Sequence, residues 1–352
     1  MRRSDLQGAL QTLGHLGLSA AAGVATAYFF VQGMWLPFAI ALWCYGTVGT
    51  FLRGLASHEL GHGTVFRTRW LNRFFLVPIS LLTWWNHHEY AMSHTCHHRY
   101  TLYPDGDREV LLPIDLPLKP LQVLQLLTVN LQGVWSVVGS TVRMAIPRYR
   151  MDLTGGNDAG EWTAALFAMA PDVERKAVSF ARLTLLFHGG LLAVSALTGA
   201  WWVSIVFTGY VFCGGWLASL VGAPMHIGLM DGVPDFRMSI RSNRLNPFVS
   251  FLYWRMNWHC EQHMFAGVPC YNLKKLAKEI APDMPELRSL RDSWREMIAA
   301  EKHRRVDPAY QYQTPLPPTA HPAVLREETA PRAPTDEEQL QASIGELAPN
   351  GR

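Results

Sequence analysis

The chain has 352 residues, 49% of them hydrophobic and only 17% charged, with a formal net charge of +3. That charged share is low for a soluble protein. So small a charge, with Lys and Arg spread out and no interleaved basic and aromatic stripe, argues against a nucleic-acid partner. No Asp, Glu, Lys or Arg occurs between Asp5 and Arg53, or between Arg182 and Asp231. Each gap has room for two stretches of roughly 20 residues, the length of a membrane-crossing helix, so the chain reads as an all-α membrane protein.

In chain order, the first gap divides near Gln32-Gly33 into spans at about 12–31 and 35–56. The opening Met1-Arg2-Arg3 followed by a spanning-length apolar run is not the layout of a cleavable signal peptide. Residues 70–85 are apolar but too short to span, so they read as an interfacial or re-entrant helix. Residues 120–146, apolar with interspersed Gln122, Gln125, Asn130, Gln132 and Arg143, are expected to lie along the membrane. The loop 151–161, with Gly155, Gly156 and Gly160, reads as a connector. The second gap breaks at Thr198-Gly199-Ala200 into spans at about 180–197 and 201–222. Both connections are short and uncharged, with Trp35, Trp201 and Trp202 at the turns, so the expectation is four transmembrane helices in two hairpins. The arginine-rich segments (the N-terminus, Arg67 to Arg73, Arg143 to Arg150, Arg237 to Arg255) all fall on the other side. By the positive-inside rule that side is the cytoplasm, with both termini there. Residues 272–304 read as amphipathic helix with Leu273, Leu276 and Ile280 on one face. A membrane domain of residues 1–304 is thus followed by a Pro- and Glu-rich tail, 305–352, expected to be disordered.

Three histidine clusters organise the chain. His94-Thr95-Cys96-His97-His98 places three imidazoles at i, i+3 and i+4, which on a helix share one face. His58-Glu59-Leu60-Gly61-His62 and His259-Cys260-Glu261-Gln262-His263 repeat the i, i+4 spacing, and His226 follows the fourth span. All of them fall on the cytosolic side, where a polar residue at a span end is a functional candidate. Imidazole is the commonest metal ligand, so the clusters predict a cytosolic helical cap holding a polyhistidine di-metal site. The five cysteines are scattered and odd in number, which disfavours a disulfide framework. His15 and His188, lone in spans, and His303 and His321, in polar segments, read as structural.

All-imidazole sites suit Zn, Fe, Cu or Ni. His58 to His62 also matches H-E-x-x-H, the zinc protease motif with Glu as general base. That reading leaves His94, His97, His98, His226, His259 and His263 without a role, whereas eight imidazoles suffice for two metals with open positions. A non-catalytic metal-binding membrane protein is a further reading, and a transporter fits less well because the histidines gather at one surface. Two redox-active ions beside a bilayer point to oxygen chemistry on an apolar chain, since acid–base groups do not break an unactivated C–H bond.

The residues also carry a resemblance. The chain resembles the membrane-bound histidine-box fatty acid desaturase and hydroxylase family through His58-Glu59-Leu60-Gly61-His62-Gly63-Thr64, through His94 to His98 with Arg99-Tyr100-Thr101 and Asp105-Gly106-Asp107, and through Asn257 to Phe265 followed by Val268-Pro269-Cys270-Tyr271-Asn272-Leu273. The stretch from His226 to Trp254 is similar too. The resemblance implies four spans under a cytosolic cap and a di-iron centre, with His58, His62, His94, His97, His98, His226, His259 and His263 as ligands. It implies dioxygen-dependent fatty acid desaturation, with hydroxylation or ketolation of a lipid or carotenoid-like substrate as the alternative within the class. The chain contains no dinucleotide fingerprint or four-cysteine iron–sulfur spacing. Electrons would therefore come from a separate ferredoxin- or reductase-type protein, for which Arg67, Arg69, Arg73, Arg237, Arg241 and Arg244 are a candidate dock. Facing anionic lipid is the simpler role for many of them.

One residue departs from the family pattern. Gln262 stands where the third box usually carries a histidine, and an amide oxygen is a weaker, harder donor than imidazole. His87 and His88, read as loop residues, are candidates to fill the gap or to play a structural role. Asn257 and Glu261 are candidates to orient ligands through hydrogen bonds.

Overall fold

A computed structural model of the chain describes residues 1–146, 164, 166–168 and 170–320, except 105, 108, 111, 113 and 115. The 151–161 connector, Asp105, His321 and the tail beyond 320 lie outside the described residues.

Helix α1 (Asp5–Val31) begins where the extended Ser4 accepts a hydrogen bond from the Gln7 N–H. Asp5 sits at the positive end of its dipole and accepts from both the N–H and the hydroxyl of Thr68, each at 2.8 Å. A short turn with Gly33 at φ +66° leads into α2 (Trp35–Gly61). Near its end α2 takes one π-helical turn, Leu52–Ala56. Such a turn shifts the helix face of everything after it, here His58 and His62. Then come α3 (Arg69–Leu82), α4 (His87–Tyr100), α5 (Pro120–Leu127), α6 (Leu131–Ala145) and α7 (Pro171–Thr198). Gly199, in the left-handed region at φ +74°, stops α7 and allows the turn into α8 (Trp201–Phe212) and α9 (Trp216–Met225). The cap is built from short helices, α10 (Phe236–Ser239), α11 (Pro247–Leu252), α12 (His259–Met264), α13 (Leu273–Glu279) and the longer α14 (Leu290–Arg304). A two-residue parallel pair, Asn243–Arg244 with Arg288–Ser289, ties its two halves together.

Among the described residues three helices, α1, α2 and α7, are long and apolar enough to cross a membrane. The stretch expected to form a fourth continuous span, 201–222, is broken. After Trp201–Ser204 it passes through a π turn and a 3-10 turn, leaves helical geometry at Cys213 to Gly215, and resumes at Trp216. The break follows from close approach to α2. A Cβ on Gly46 would meet the Cys213 carbonyl oxygen at 2.2 Å, and one on Gly49 would meet the Tyr210 ring. Backbone groups freed in an apolar setting must find partners, and these do. The Gly214 N–H donates to Thr128 O (2.9 Å), Phe212 O accepts from the Asn130 N–H (2.7 Å), and Gly214 O accepts from Thr47 Oγ1 (3.0 Å). Thr128 to Asn130 thereby interrupt what the sequence presents as one apolar stretch, 120–146. Residues 272–304 are likewise two helices, because Pro282 and Pro285 fall between them.

Helix α7 packs on α4 and α6 through small residues, Ala177 and Ala181, against Met92, Met144 and Phe167. Small side chains let helix backbones approach. His15 and His188 are structural, as expected. Trp254 Nε1–H donates to His15 Nδ1 (2.9 Å), leaving Nε2–H to donate to Val48 O, and both His188 nitrogens are bonded, to Thr208 and Leu81.

Two of the six arginines read as a docking face are buried instead. Arg237 pairs with Asp235 (2.7 Å), and Arg241 is 1% exposed. The Arg241 guanidinium donates to Glu296 (2.5 Å) and to the carbonyls of Pro224 and Ile227, bracketing His226. Arg67, Arg69, Arg73 and Arg244 remain exposed. Residues 306–320, placed by composition in the tail, continue against the cap. The Tyr312 N–H donates to Gly228 O (2.9 Å), its ring lies about equally near the Arg241 and Arg288 guanidiniums, and Thr314 is buried. Removing one partner of a buried ion pair costs about 3–5 kcal/mol. Arg241→Ala should therefore lower the thermal unfolding midpoint in detergent well beyond the effect of exposed Arg244→Ala, and equal midpoints for the two would contradict this account.

Candidate metal centre

Helix α4 is the divider of the site. His94, His97 and His98 do not converge on one point. At 3.6 residues per turn His94 and His98 lie about 40° apart, while His97 lies on the other side of His94. His94 and His98 join His58 and His62 from the end of α2. His97 joins His226, from the loop after α9, with His259 and His263 of α12. The potential ligand atoms within each group of four all lie within 4.8 Å of one another. The two clusters are neighbours, since the His98 and His263 rings stack at 4.2 Å and the His94 and His97 rings lie at 5.6 Å.

In five of the eight histidines the outer nitrogen has a partner that sets the inner one. His97 Nδ1–H donates to Asp107 (2.8 Å), His58 Nδ1–H to Glu59 (2.9 Å), and His226 Nδ1–H to the Ser239 carbonyl (3.1 Å). His94 Nδ1 lies 3.2 Å from both Glu109 oxygens, and Thr101 Oγ1 lies 3.0 Å from His263 Nδ1. With the proton on Nδ1, a lone pair at Nε2 faces inward. Two inner pairs face each other, His62 Nε2 with His94 Nε2 at 3.2 Å and His226 Nε2 with His259 Nε2 at 3.1 Å. His58 Nε2 and His263 Nε2 are buried without a partner. Burial pushes the His62 and His226 imidazoles down to about 3, so both are neutral and able to coordinate. Buried imidazole nitrogens converging on one point are what a metal ion fits, and the imidazole set suits iron, zinc, copper or nickel.

Burial pushes Glu109 up to about 7, opposed by the charge on His97. Burial also acts to raise Asp107, but hydrogen bonds from His97 and from the Leu102 and Glu109 N–H groups hold it below the ordinary carboxylate value. Asp107 therefore stays ionised as an acceptor.

The clusters differ in access. Cluster one, His58, His62, His94 and His98, borders a cavity of about 630 Å³ whose rim carries Arg3 and Arg99. Of cluster two only His263 reaches that cavity. Gln262 turns towards cluster one, with its amide nitrogen 3.0 Å from His62 Nε2 and 3.5 Å from His98 Nε2. Its Oε1 is buried and unpartnered, and a half-turn of the amide would present that oxygen to the same point.

The other sequence candidates fall outside the two rings. Asn257 bonds Ser250 (2.7 Å) and the Asn243 carbonyl (2.9 Å), and Glu261 bonds Ser242, so both brace the cap and neither bonds an imidazole. His87 and His88 are not in a loop. They form the first turn of α4, capped by Asn86, with both rings near Phe180. Cys96 and Cys260 belong to neither cluster. Sequence reasoning missed Glu109, Thr101 and Tyr90, whose ring stacks on His94 at 4.7 Å. The signal for Glu109 was an acid one helix-and-turn beyond the histidine it serves.

Among the described residues, three long apolar helices and two four-histidine clusters, each able to hold a metal ion, mark a membrane protein with a candidate polyhistidine metal centre. The sequence profile of the family described as fatty acid desaturase matches residues 33–294, most of the chain and every histidine of both clusters. The chain belongs to that family, an oxidoreductase family that acts on lipid acyl chains. No curated protein matches it. Loss of an outer partner typically costs about 10–100-fold in metal affinity. Asp107→Asn should therefore weaken retention of one metal ion by that order in chelator titrations and leave a second unchanged, and unaltered retention of both would contradict the role given to Asp107.

Proposed function

We propose that the chain oxidises an unactivated C–H position of a lipid acyl chain at two irons, one in each cluster, using dioxygen and electrons from a separate ferredoxin- or reductase-type protein. Desaturation is the reaction favoured by family membership. The observation that carries the reading is the doubled four-imidazole arrangement, with the outer nitrogens of His58, His94, His97, His226 and His263 tied. In this reading His58, His62, His94 and His98 hold one ion, and His97, His226, His259 and His263 the other. Bound there, the irons would supply an oxidant strong enough for a C–H bond. The protein's own residues do the rest. Asp107, Glu109, Glu59, Ser239 and Thr101 fix tautomer and ring orientation, and the apolar helices keep bulk water away. Exposed Arg3 and Arg99 on the rim, with exposed Arg67 and Arg69 flanking the Thr68 that is bonded to Asp5, offer an acidic electron donor a cationic face.

The proposed topology has four spans, the last being the broken α8–α9 pair, in two hairpins. The cap, the histidines and both termini lie in the cytoplasm, as the arginine distribution favours. The zinc protease reading is disfavoured by Glu59. A general base must face the metal-bound water, whereas Glu59 is bonded to the outer nitrogen of His58 and is 1% exposed.

Lipid profiling of cells expressing the wild type or His97→Ala tests the proposal. A new unsaturated or hydroxylated lipid should appear with the wild type only, and indistinguishable profiles would sink the lipid-oxidation reading. Hydroxylation or ketolation is the second reading, favoured by Gln262, which leaves cluster one with a weaker fifth donor. Gln262→His should tighten metal retention at cluster one and shift the product ratio towards desaturation; unchanged retention and product would remove Gln262 from the account.

A further inference from the structure

Two buried hydrogen-bond donors without partners belong to residues that line a single cavity. Arg53 and Trp85 both border a space of about 240 Å³ between α2, α4, α6 and α7. The Arg53 Nε and the Trp85 Nε1 are each buried with no hydrogen-bond partner. Arg53 lies on the π turn of α2, about one turn before His58, and no other charged residue occurs in that helix before Glu59. Its guanidinium stacks 5.4 Å from the centre of the Trp85 ring, which steadies the charge but takes up none of its N–H groups. Among the described residues nothing accepts a hydrogen bond from it. An arginine at that depth is expensive and marks a ligand or counter-ion site.

The rest of the wall does not supply the acceptor. Ser140 and Thr141 give their hydrogens to the Val137 carbonyl, and Thr184 gives its own to Phe180. Glu89 lines the cavity as well and is engaged in an interaction of its own. What is missing is a compact anionic acceptor able to meet a guanidinium fork and an indole N–H together. A carboxylate has that shape.

Size and position narrow the ligand further. The volume is below the roughly 300–1,000 Å³ of sites that enclose a drug-sized molecule, so the cavity takes the end of a lipid and not its whole chain. Tyr90 lines both this cavity and the larger one at cluster one, and its ring is stacked on His94. A ligand held at Arg53 therefore lies one aromatic ring from the histidines.

We propose that Arg53 and Trp85 bind the carboxylate of a free, unesterified fatty acid, so that the carbons nearest the carboxyl end are the ones brought to cluster one. For the chemistry this rests on the lipid-oxidation reading, and for the binding it does not.

Competition against a spin-labelled stearate, with the full-length protein in detergent at a pH where the acid is ionised, tests it. A charge-assisted hydrogen bond contributes about 1.5–3 kcal/mol, so stearate should compete at least ~10-fold better than methyl stearate. Arg53→Met should abolish that preference and Arg53→Lys restore part of it. Trp85→Phe, which keeps the ring and loses the N–H, should reduce it severalfold and serves if Arg53→Met does not fold. Equal competition by acid and ester in the wild type, or a preference that survives Arg53→Met, overturns the proposal. So does octadecyl phosphate competing 10-fold better than stearate, which would assign the site to a phosphate head group. A carboxylate preference in a protein that yields no oxidised lipid would keep this site and reject the oxidation reading.

Discussion

Imidazole nitrogens that face each other at 3.1 and 3.2 Å, with the protons of His94 and His226 drawn off behind the rings, set the terms for the rest of the molecule. Two such nitrogens need a proton or a cation between them, and buried away from water they cannot be relieved by solvent. Rings fixed from behind hold the arrangement in place. That is why acids and carbonyls cluster on the outer side of the histidines. Asp107 is fully buried, yet it is tied by four hydrogen bonds and so remains an acceptor.

The helices serve that constraint. The π turn in α2 rotates His58 and His62 onto the face that meets α4. Helix α4, rooted by the Asn86 amide on the Ala177 carbonyl of α7 (2.8 Å), passes between the clusters and contributes to both. The loop that bears His226 has no helix of its own to stiffen it. Arg241 grips the carbonyls on either side of it, and the strap around Tyr312 covers the next turn. These parts lie far apart in sequence and contribute little on their own, which makes the centre a product of the whole fold.

Much of this was legible in the sequence, and for physical reasons. Long charge-free runs mark spanning helices, and imidazoles at i, i+4 mark a shared helical face, so the eight clustered histidines could be named before any coordinates. What the sequence hid was tertiary. The sharing of α4 between two sites depends on which neighbours flank it. The break at Cys213 to Gly215 depends on Gly46 and Gly49 admitting the other chain. Arg237 and Arg241 look like surface arginines until Asp235 and Glu296 are seen beside them. Residues 306–320 have a tail's composition, and their order comes from the cap they lie on.

Metal content of the purified chain, combined with X-ray absorption at the metal edge, tests the central claim most directly. The account predicts two ions per chain, both in shells dominated by imidazole nitrogen, and a fall to about one when His226 is replaced by alanine. A single ion that survives His226→Ala, or a shell rich in sulfur, would contradict it.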